Sequence, residues 1–256
     1  MAIRGLHSRS LGTSVPRGGE ARVAYLRGAL LDNRLRLVAQ PIVDPVTRAT
    51  VAEELLLRVV RRNGCVEAPG PYIKAAEQSR LAIEVDTWVL DRAARIAAAE
   101  GRNLQMNLSA RTVSEGSFAD RIEDAINRHG VDPRRLTFEI TETAQPIELR
   151  APSVVAERIA SLGCGLALDD FGMGYGTLTY LHRLPVTMVK IDREFVSDAT
   201  TNPRSRAIVD AVVCIASRVG QKTVAEGVED DATLVVMREC GVDLVQGFHL
   251  GRPAAF

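Results

Sequence analysis

Past about residue 20, stretches with apolar residues at helical spacing alternate with short runs that are almost wholly apolar. Gly101, Gly130, Gly163, Gly220 and Gly241 each follow a helix-like stretch and precede a strand-like run within a few residues. Glycine there supplies the left-handed residue that closes a helix. The runs after these glycines are LQMN, LTFEI, LALD, TVAE and DLVQ. Asn202 before Pro203 predicts a helix cap with proline in the first turn, and Ile208, Val212, Ile215 and Val219 predict the apolar stripe of the helix that follows. The pattern predicts repeated βα units.

LRLVAQPIV at 35–43, TVAEELLLRV at 50–59 and MVKI at 188–191 bring the candidate strands to eight. The first two are separated only by Asp44 to Ala49, too short for a crossover helix, so they pair as an antiparallel hairpin. The expected fold is an α/β TIM-like (β/α)8 barrel with the first strand antiparallel and the other seven parallel. A doubly wound open sheet is the alternative, but no glycine-rich dinucleotide loop follows any early strand. Residues 21–256 read as one barrel domain after a disordered tail, 1–20.

Composition narrows the partners. Aromatics are only 4% of the 256 residues, so the core must be mostly Val, Leu, Ile and Ala. Lys plus Arg equals Asp plus Glu at 32 each, which leaves no basic face for long nucleic acid but leaves a small charged ligand open. Cys65, Cys164, Cys214 and Cys240 form no CxxC pair and read as reduced core thiols. No apolar run approaches the roughly 20 residues of a membrane helix, and no secretory signal opens the chain, so no membrane partner and a cytoplasmic location are expected. Residues 1–19 contain no acid and superficially look like a transit peptide; a disordered bacterial tail is the preferred reading.

In a parallel barrel, chemistry gathers at the C-terminal ends of the strands. Glu54, Asn107, Glu139, Glu142, Asp169, Asp170, Lys190, Asp192, Glu226 and Gln246 all lie in or just after candidate strands. Any one of them alone could be a cap or part of a structural ion pair; acids recurring at the same end of strand after strand are harder to explain that way. So many carboxylates repel unless a cation compensates. Oxygen donors without Cys or a convincing His select Mg²⁺ or Mn²⁺, and the adjacent Asp169 and Asp170 can place two ions side by side.

These segments resemble the signature motifs of EAL-type cyclic di-GMP phosphodiesterases from about Leu35 to Pro253. In family order they are QPIVD from Gln40, ELLLR from Glu54, NLSAR from Asn107, EITET from Glu139, DDFGMGYGTLTYL from Asp169, VKID from Val189, AEGVE from Ala225 and QGF from Gln246. The resemblance implies hydrolysis of cyclic di-GMP to linear pGpG. It implies that Glu54, Asn107, Glu139 and Asp169 hold one metal, with Asp169 bridging to a second at Asp170. A water between the metals becomes the nucleophile, Lys190 orients it and Glu226 takes its proton. Gln246 and Arg58 bind guanine or phosphate, and Gln40 and Asp192 complete the substrate-binding set. Glu142 is expected to pin the loop from Phe171 to Thr177 by accepting its backbone N–H groups; capping the following helix is the alternative.

Three positions depart from the family pattern. Glu-Ala-Leu becomes Glu54-Leu55-Leu56, the loop after the aspartates carries Met173, Gly176 and Thr177, and Thr187 replaces a common Asp. In the family that loop orders the second metal and links the site to a dimer interface, so a homodimer is expected. A catalytically silent EAL-like receptor or interaction module is the rival reading, disfavoured by the complete ligand set. A Schiff-base barrel using Lys190 is disfavoured because a lysine among carboxylates stays protonated. No sensor domain is evident, so an upstream regulator remains unidentified.

Overall fold

The computed structural model describes residues 18–77, 79–141, 150–172 and 177–256. β1 (Leu35–Val43) and β2 (Thr50–Val60) form the expected antiparallel hairpin, with Leu35 opposite Val59 and Gln40 opposite Glu54. β2 also pairs with a short strand that the sequence did not suggest, β3 (Val66–Glu67). β4 (Leu104–Leu108), β5 (Leu136–Thr141), β6 (Gly165–Phe171), β7 (Met188–Ile191), β8 (Lys222–Ala225) and β9 (Leu244–Val245) then follow β2 in parallel. β9 closes on β1 through Val43 opposite Val245. Apart from β3, the described strands therefore make a closed eight-stranded barrel in which β1 alone is antiparallel.

The glycine cadence has the expected cause. Gly101, Gly130, Gly163, Gly220 and Gly241 all lie at positive φ, between 63° and 86°, where a side chain would be strained. Alternation along the strands then divides the core. Leu55, Leu104, Met106, Phe138, Leu166, Leu168 and Val189 point outward and are buried with the helices. Ile42, Ala52, Val224 and Leu244 form a separate apolar cluster, with Met188 packed against it. Ile42 and Ala52 are opposite each other and share the face of Gln40 and Glu54, so this cluster plugs the barrel interior beneath the polar residues.

Two expectations need correction. The helix Pro203–Arg218 is capped as expected, Asn202 Oδ1 accepting from the Arg204 backbone N–H at 3.0 Å. Its buried face, however, is Ser205, Val209, Val212 and Ala216, while Ile208, Ile215 and Val219 are exposed. Two apolar stripes lie about one residue apart on this helix, so periodicity alone cannot fix which one turns inward. The cysteines are likewise not all core thiols: Cys164 is buried, but Cys65 and Cys214 are exposed. Cys65 follows the turn at Gly64, and Cys214 lies on the outer face of the same rotated helix.

Thr187 has a structural role. Its hydroxyl accepts from Leu166 N at 3.1 Å and donates to Leu166 O at 3.0 Å, tying the entry of β7 to β6. Leu55, at the altered motif, is 3% exposed and packs outward, as alternation requires. Among the described residues no helix is long and apolar enough to cross a membrane.

The helix phase gives a direct test. Val209→Ala removes two buried methyl groups from a position that is fully buried and should cost about 2 kcal/mol. Ile208→Ala, compared at a concentration low enough for the monomer, should stay within about 0.5 kcal/mol. Urea unfolding of both variants checks this; equal losses would mean the stripe is assigned wrongly.

Candidate functional site

The inward positions bring most of the expected residues to one centre. On neighbouring strands Gln40 is opposite Glu54 and Asn107 is opposite Glu139. Lys190 on β7 is only 1% exposed, and its ammonium sits among four carboxylates. It donates to Glu139 Oε2 at 2.7 Å and lies 2.7 Å from Glu226 Oε1, 3.5 Å from Asp169 Oδ1 and 3.6 Å from Glu54 Oε2. Amides hold Glu54 in place. Asn107 Nδ2 donates to its Oε1 at 2.9 Å, and Gln246 Nε2 donates to its Oε2 at 2.8 Å.

Strict alternation would send Asp169 and Asp170 to opposite faces. The β6–β7 register instead shifts between Leu168 and Phe171, and Asp170 adopts a left-handed φ of 54°. Such a bulge re-aims the second aspartate, at a cost in backbone strain that a site can exploit. Carboxylate oxygens of Asp169, Asp170 and Glu226 consequently lie within 4.8 Å of one another. Glu139 Oε1, Asp169 Oδ1 and Gln246 Oε1 are buried without a hydrogen-bond partner. Orphaned oxygens among clustered acids suit a hard cation.

The electrostatics follow from one ammonium facing many acids. Burial alone would lower the pKa of Lys190, but Glu139, Glu54, Glu226 and Asp169 raise it well above its ordinary value. Burial pushes Glu139 well up, with Lys190 opposing and Glu54 and Asp169 adding to the rise. Glu226 is pushed up to about 7, chiefly by burial and then by Asp169 and Glu54 against the pull of Lys190. Asp170 rises to about 6 through burial, with Asp169 and Asp192 beside it. Glu54 behaves oppositely: burial would raise it, yet Lys190, Gln246 and Asn107 hold it below its ordinary value.

The remaining residues lie around this centre. Gln40 donates to Gly251 O at 3.2 Å and lines a cavity of about 190 Å³ together with Glu54, Arg193, Glu226, Glu229 and Phe248. On the other side, a cavity of about 410 Å³ is lined by Arg58, Asn107, Leu56, Ile73, Val89 and Asp86. Asp192 caps the helix Arg193–Asp198, its Oδ1 accepting from Glu194 N at 2.7 Å, and also contacts Asp170. Glu142, Met173 and Gly176 lie outside the described residues.

Sequence reasoning missed Asp86, Arg193, Glu229 and Phe248 as wall residues. Asp86 left a faint signal, as an acid within the otherwise apolar IEVDTWVL. Its Oδ2 accepts from Ser109 N, Ser109 Oγ and Thr112 Oγ1 at 3.0, 2.8 and 2.6 Å, while burial raises its pKa.

Barrel and site together are those of a known class: the EAL domain matches residues 23–253, and the chain belongs to that family. It is 35% identical over 234 residues to the bifunctional diguanylate cyclase/cyclic di-GMP phosphodiesterase MucR of Pseudomonas aeruginosa, covering 89% of this chain and 34% of that protein. It is 34% identical over 234 residues to the cyclic di-GMP phosphodiesterase NbdA of the same species, covering 89% of this chain and 30% of that one. The chain thus spans about a third of these curated relatives' length. Among solved structures, the PaMucR phosphodiesterase in complex with c-di-GMP superposes with a TM-score of 0.85 at 34% identity, over 91% of this chain and 97% of that one. The FimX EAL domain from Pseudomonas aeruginosa bound to c-di-GMP gives a TM-score of 0.84 at 25% identity, over 91% and 96%.

The pKa shifts predict how the metal-free protein responds to pH. A carboxyl whose folded pKa is raised holds its proton more tightly folded than unfolded. The stability it contributes is complete below the unfolded value and is lost as pH rises through the folded one. For Glu226 that window runs from 4.5 to about 7, and for Asp170 from 3.8 to about 6. In chelator, the urea midpoint should therefore fall between pH 5 and 7.5, and less steeply in Glu226→Gln. A wild-type midpoint that is flat across this range would refute the assignment.

Proposed function

We propose that the protein is a metal-dependent phosphodiesterase that acts in the cytoplasm and hydrolyses cyclic di-GMP to linear pGpG. The observation that carries this reading is the buried Lys190 ammonium ringed by Glu54, Glu139, Asp169 and Glu226, with the orphaned Glu139 Oε1 among them. Relatives named as cyclic di-GMP phosphodiesterases support the substrate. Glu54, Asn107, Glu139 and Asp169 would hold one Mg²⁺ or Mn²⁺, and Asp170 with Asp169 a second. When bound, such ions lower the pKa of water and offset charge on the phosphoryl oxygens.

The chain's own groups do the rest. Glu226, whose carboxylate lies beside Asp169 and Asp170 and 2.7 Å from Lys190, is placed to take a proton from the attacking water. Lys190, whose charged form the surrounding carboxylates favour, stabilises negative charge on the phosphoryl oxygens. Water adds to phosphorus, one ribose 3′ oxygen leaves and is protonated, and a 5′ phosphate remains. The larger cavity, with Leu56, Ile73 and Val89 in its walls and Asp86 beside them, suits a nucleobase: apolar faces stack, and a carboxylate accepts from guanine N–H groups. Arg58, in the same wall, is poised for phosphate or guanine.

The silent-receptor reading is separated by one assay. Wild type should release pGpG with Mg²⁺ or Mn²⁺ and none in excess chelator. Lys190→Ala should lower kcat by about two orders of magnitude or more and still bind cyclic di-GMP. Binding without any turnover by wild type would establish the receptor instead.

A homodimer is also proposed. Ile208 and Ile215 on Pro203–Arg218, with Val219 just past its end, are 39%, 37% and 61% exposed, an apolar stripe suited to pairing with a second copy. Ile215→Arg should shift the sedimenting species from dimer to monomer; a monomeric wild type would refute the pairing.

A further inference from the structure

The smaller cavity poses an electrostatic problem that the catalytic set does not solve. Its charged lining includes three acids, Glu54, Glu226 and Glu229, and Arg193 is its one Lys or Arg among the described residues. Lys190 is already shared by Glu54 and Glu226 and Arg252 stacks on Phe248, so Arg193 is the lining cation left to meet a phosphate from this side. From the position of Arg193 we infer that it is a phosphate-binding residue of this cavity, gripping a phosphate oxygen of the nucleotide; the inference rests on the reading of the site as a cyclic di-GMP site.

The backbone of Arg193 is held firmly although its side chain is exposed. It is the first residue of the helix Arg193–Asp198, directly after the cap Asp192. Gly227, at a φ of 71°, lies so close that a Cβ there would be 2.5 Å from Arg193 Cβ and 3.3 Å from its Cα. Only glycine allows the loop after β8 to approach this helix start so closely. The guanidinium is therefore delivered to the rim of the cavity that contains Glu226.

Its present partner is easily displaced. Arg193 Nη2 lies 3.6 Å from Glu229 Oε1, with the two side chains 70% and 56% exposed. A single long contact between exposed groups contributes little, whereas a phosphate offers a guanidinium two parallel, charge-assisted hydrogen bonds. Glu229 thus parks Arg193 at the rim until an anion replaces it. The pair lies outside the ring of carboxylates around Lys190, so it acts on ligand affinity and leaves the reacting groups alone.

Cyclic di-GMP binding in chelator, where turnover is blocked, reads the role directly by calorimetry. Arg193→Ala should weaken Kd roughly tenfold, the loss expected for one charge-assisted hydrogen bond to phosphate. Arg193→Lys should recover part of that loss, and raising the salt concentration should weaken wild type more steeply than Arg193→Ala. Glu229→Gln, which removes the competitor, should bind at least as tightly as wild type. An unchanged Kd in Arg193→Ala would overturn the assignment, as would Glu229→Gln reproducing the loss, since the ion pair would then matter only structurally. With metal restored, Arg193→Ala should raise KM by a similar factor at nearly unchanged kcat. If wild type binds but never cleaves, the enzymatic reading fails while Kd still judges Arg193; if it does not bind at all, both fail.

Discussion

Everything in this barrel is arranged around one buried cation. The Lys190 ammonium is almost inaccessible and must be compensated, because an isolated charge in that position would cost several kcal/mol. Four carboxylates supply the compensation, but four acids around one ammonium overcompensate it. Burial raises the pKa values of Glu139, Glu226 and Asp170, and the neighbouring carboxylates add to the rise. The site is a structure short of positive charge, and that shortage is what makes it receptive to a divalent cation.

The fold makes this imbalance tolerable by fixing each member independently. Glu54 is clamped by amides from two other strands, Asn107 on β4 and Gln246 just after β9. The apolar plug of Ile42, Ala52, Val224 and Leu244 closes the barrel beneath it, and Leu55, Met106, Phe138 and Leu168 bury the outer face. Among the described residues of this centre, Asp170 is the one held at a left-handed φ, where the bulge in β6 breaks alternation to add a second aspartate. Backbone strain at a residue of the centre is the pattern expected where chemistry overrides packing.

The barrel was legible because its signals are local. Glycine after each helix, proline after Asn202 and a loop too short for a crossover between β1 and β2 are all consequences of backbone geometry within a few residues. Most site residues were legible through family motifs together with the rule that chemistry sits at strand ends. What stayed hidden depends on contacts between distant segments. The phase of Pro203–Arg218 is decided by the elements beneath it, and the outward stripe of Ile208, Ile215 and Val219 is the more apolar one, so sequence alone favours Ile208 over Val209. Asp86 is carried by a helix between strands, and its place beside Asn107 appears only when Leu81–Glu100 packs against the barrel. Arg193 resembled any solvated arginine, because its meaning depends on Gly227 and Glu229, more than thirty positions away.

The two cavities flanking the centre differ in a way that bears on how a symmetric ligand would be handled. One is about 410 Å³ with Leu56, Ile73 and Val89 in its walls; the other is about 190 Å³ and lined by Gln40, Glu54, Glu226 and Glu229. Cyclic di-GMP consists of two identical halves, yet these two compartments cannot treat them identically. A base in the larger cavity is buried against leucine, isoleucine and valine, whereas in the smaller one Phe248 is the large apolar residue among acids. In the proposed reading, seating one guanine in the larger cavity would set the register of the ring and bring one phosphodiester, not both, toward Lys190 and Glu226. Once that bond opens, the product is no longer symmetric, and the second linkage has no equivalent way to reach the same centre while the first base stays seated. In the proposed reading, a single cut follows from unequal compartments on either side of a single cationic centre.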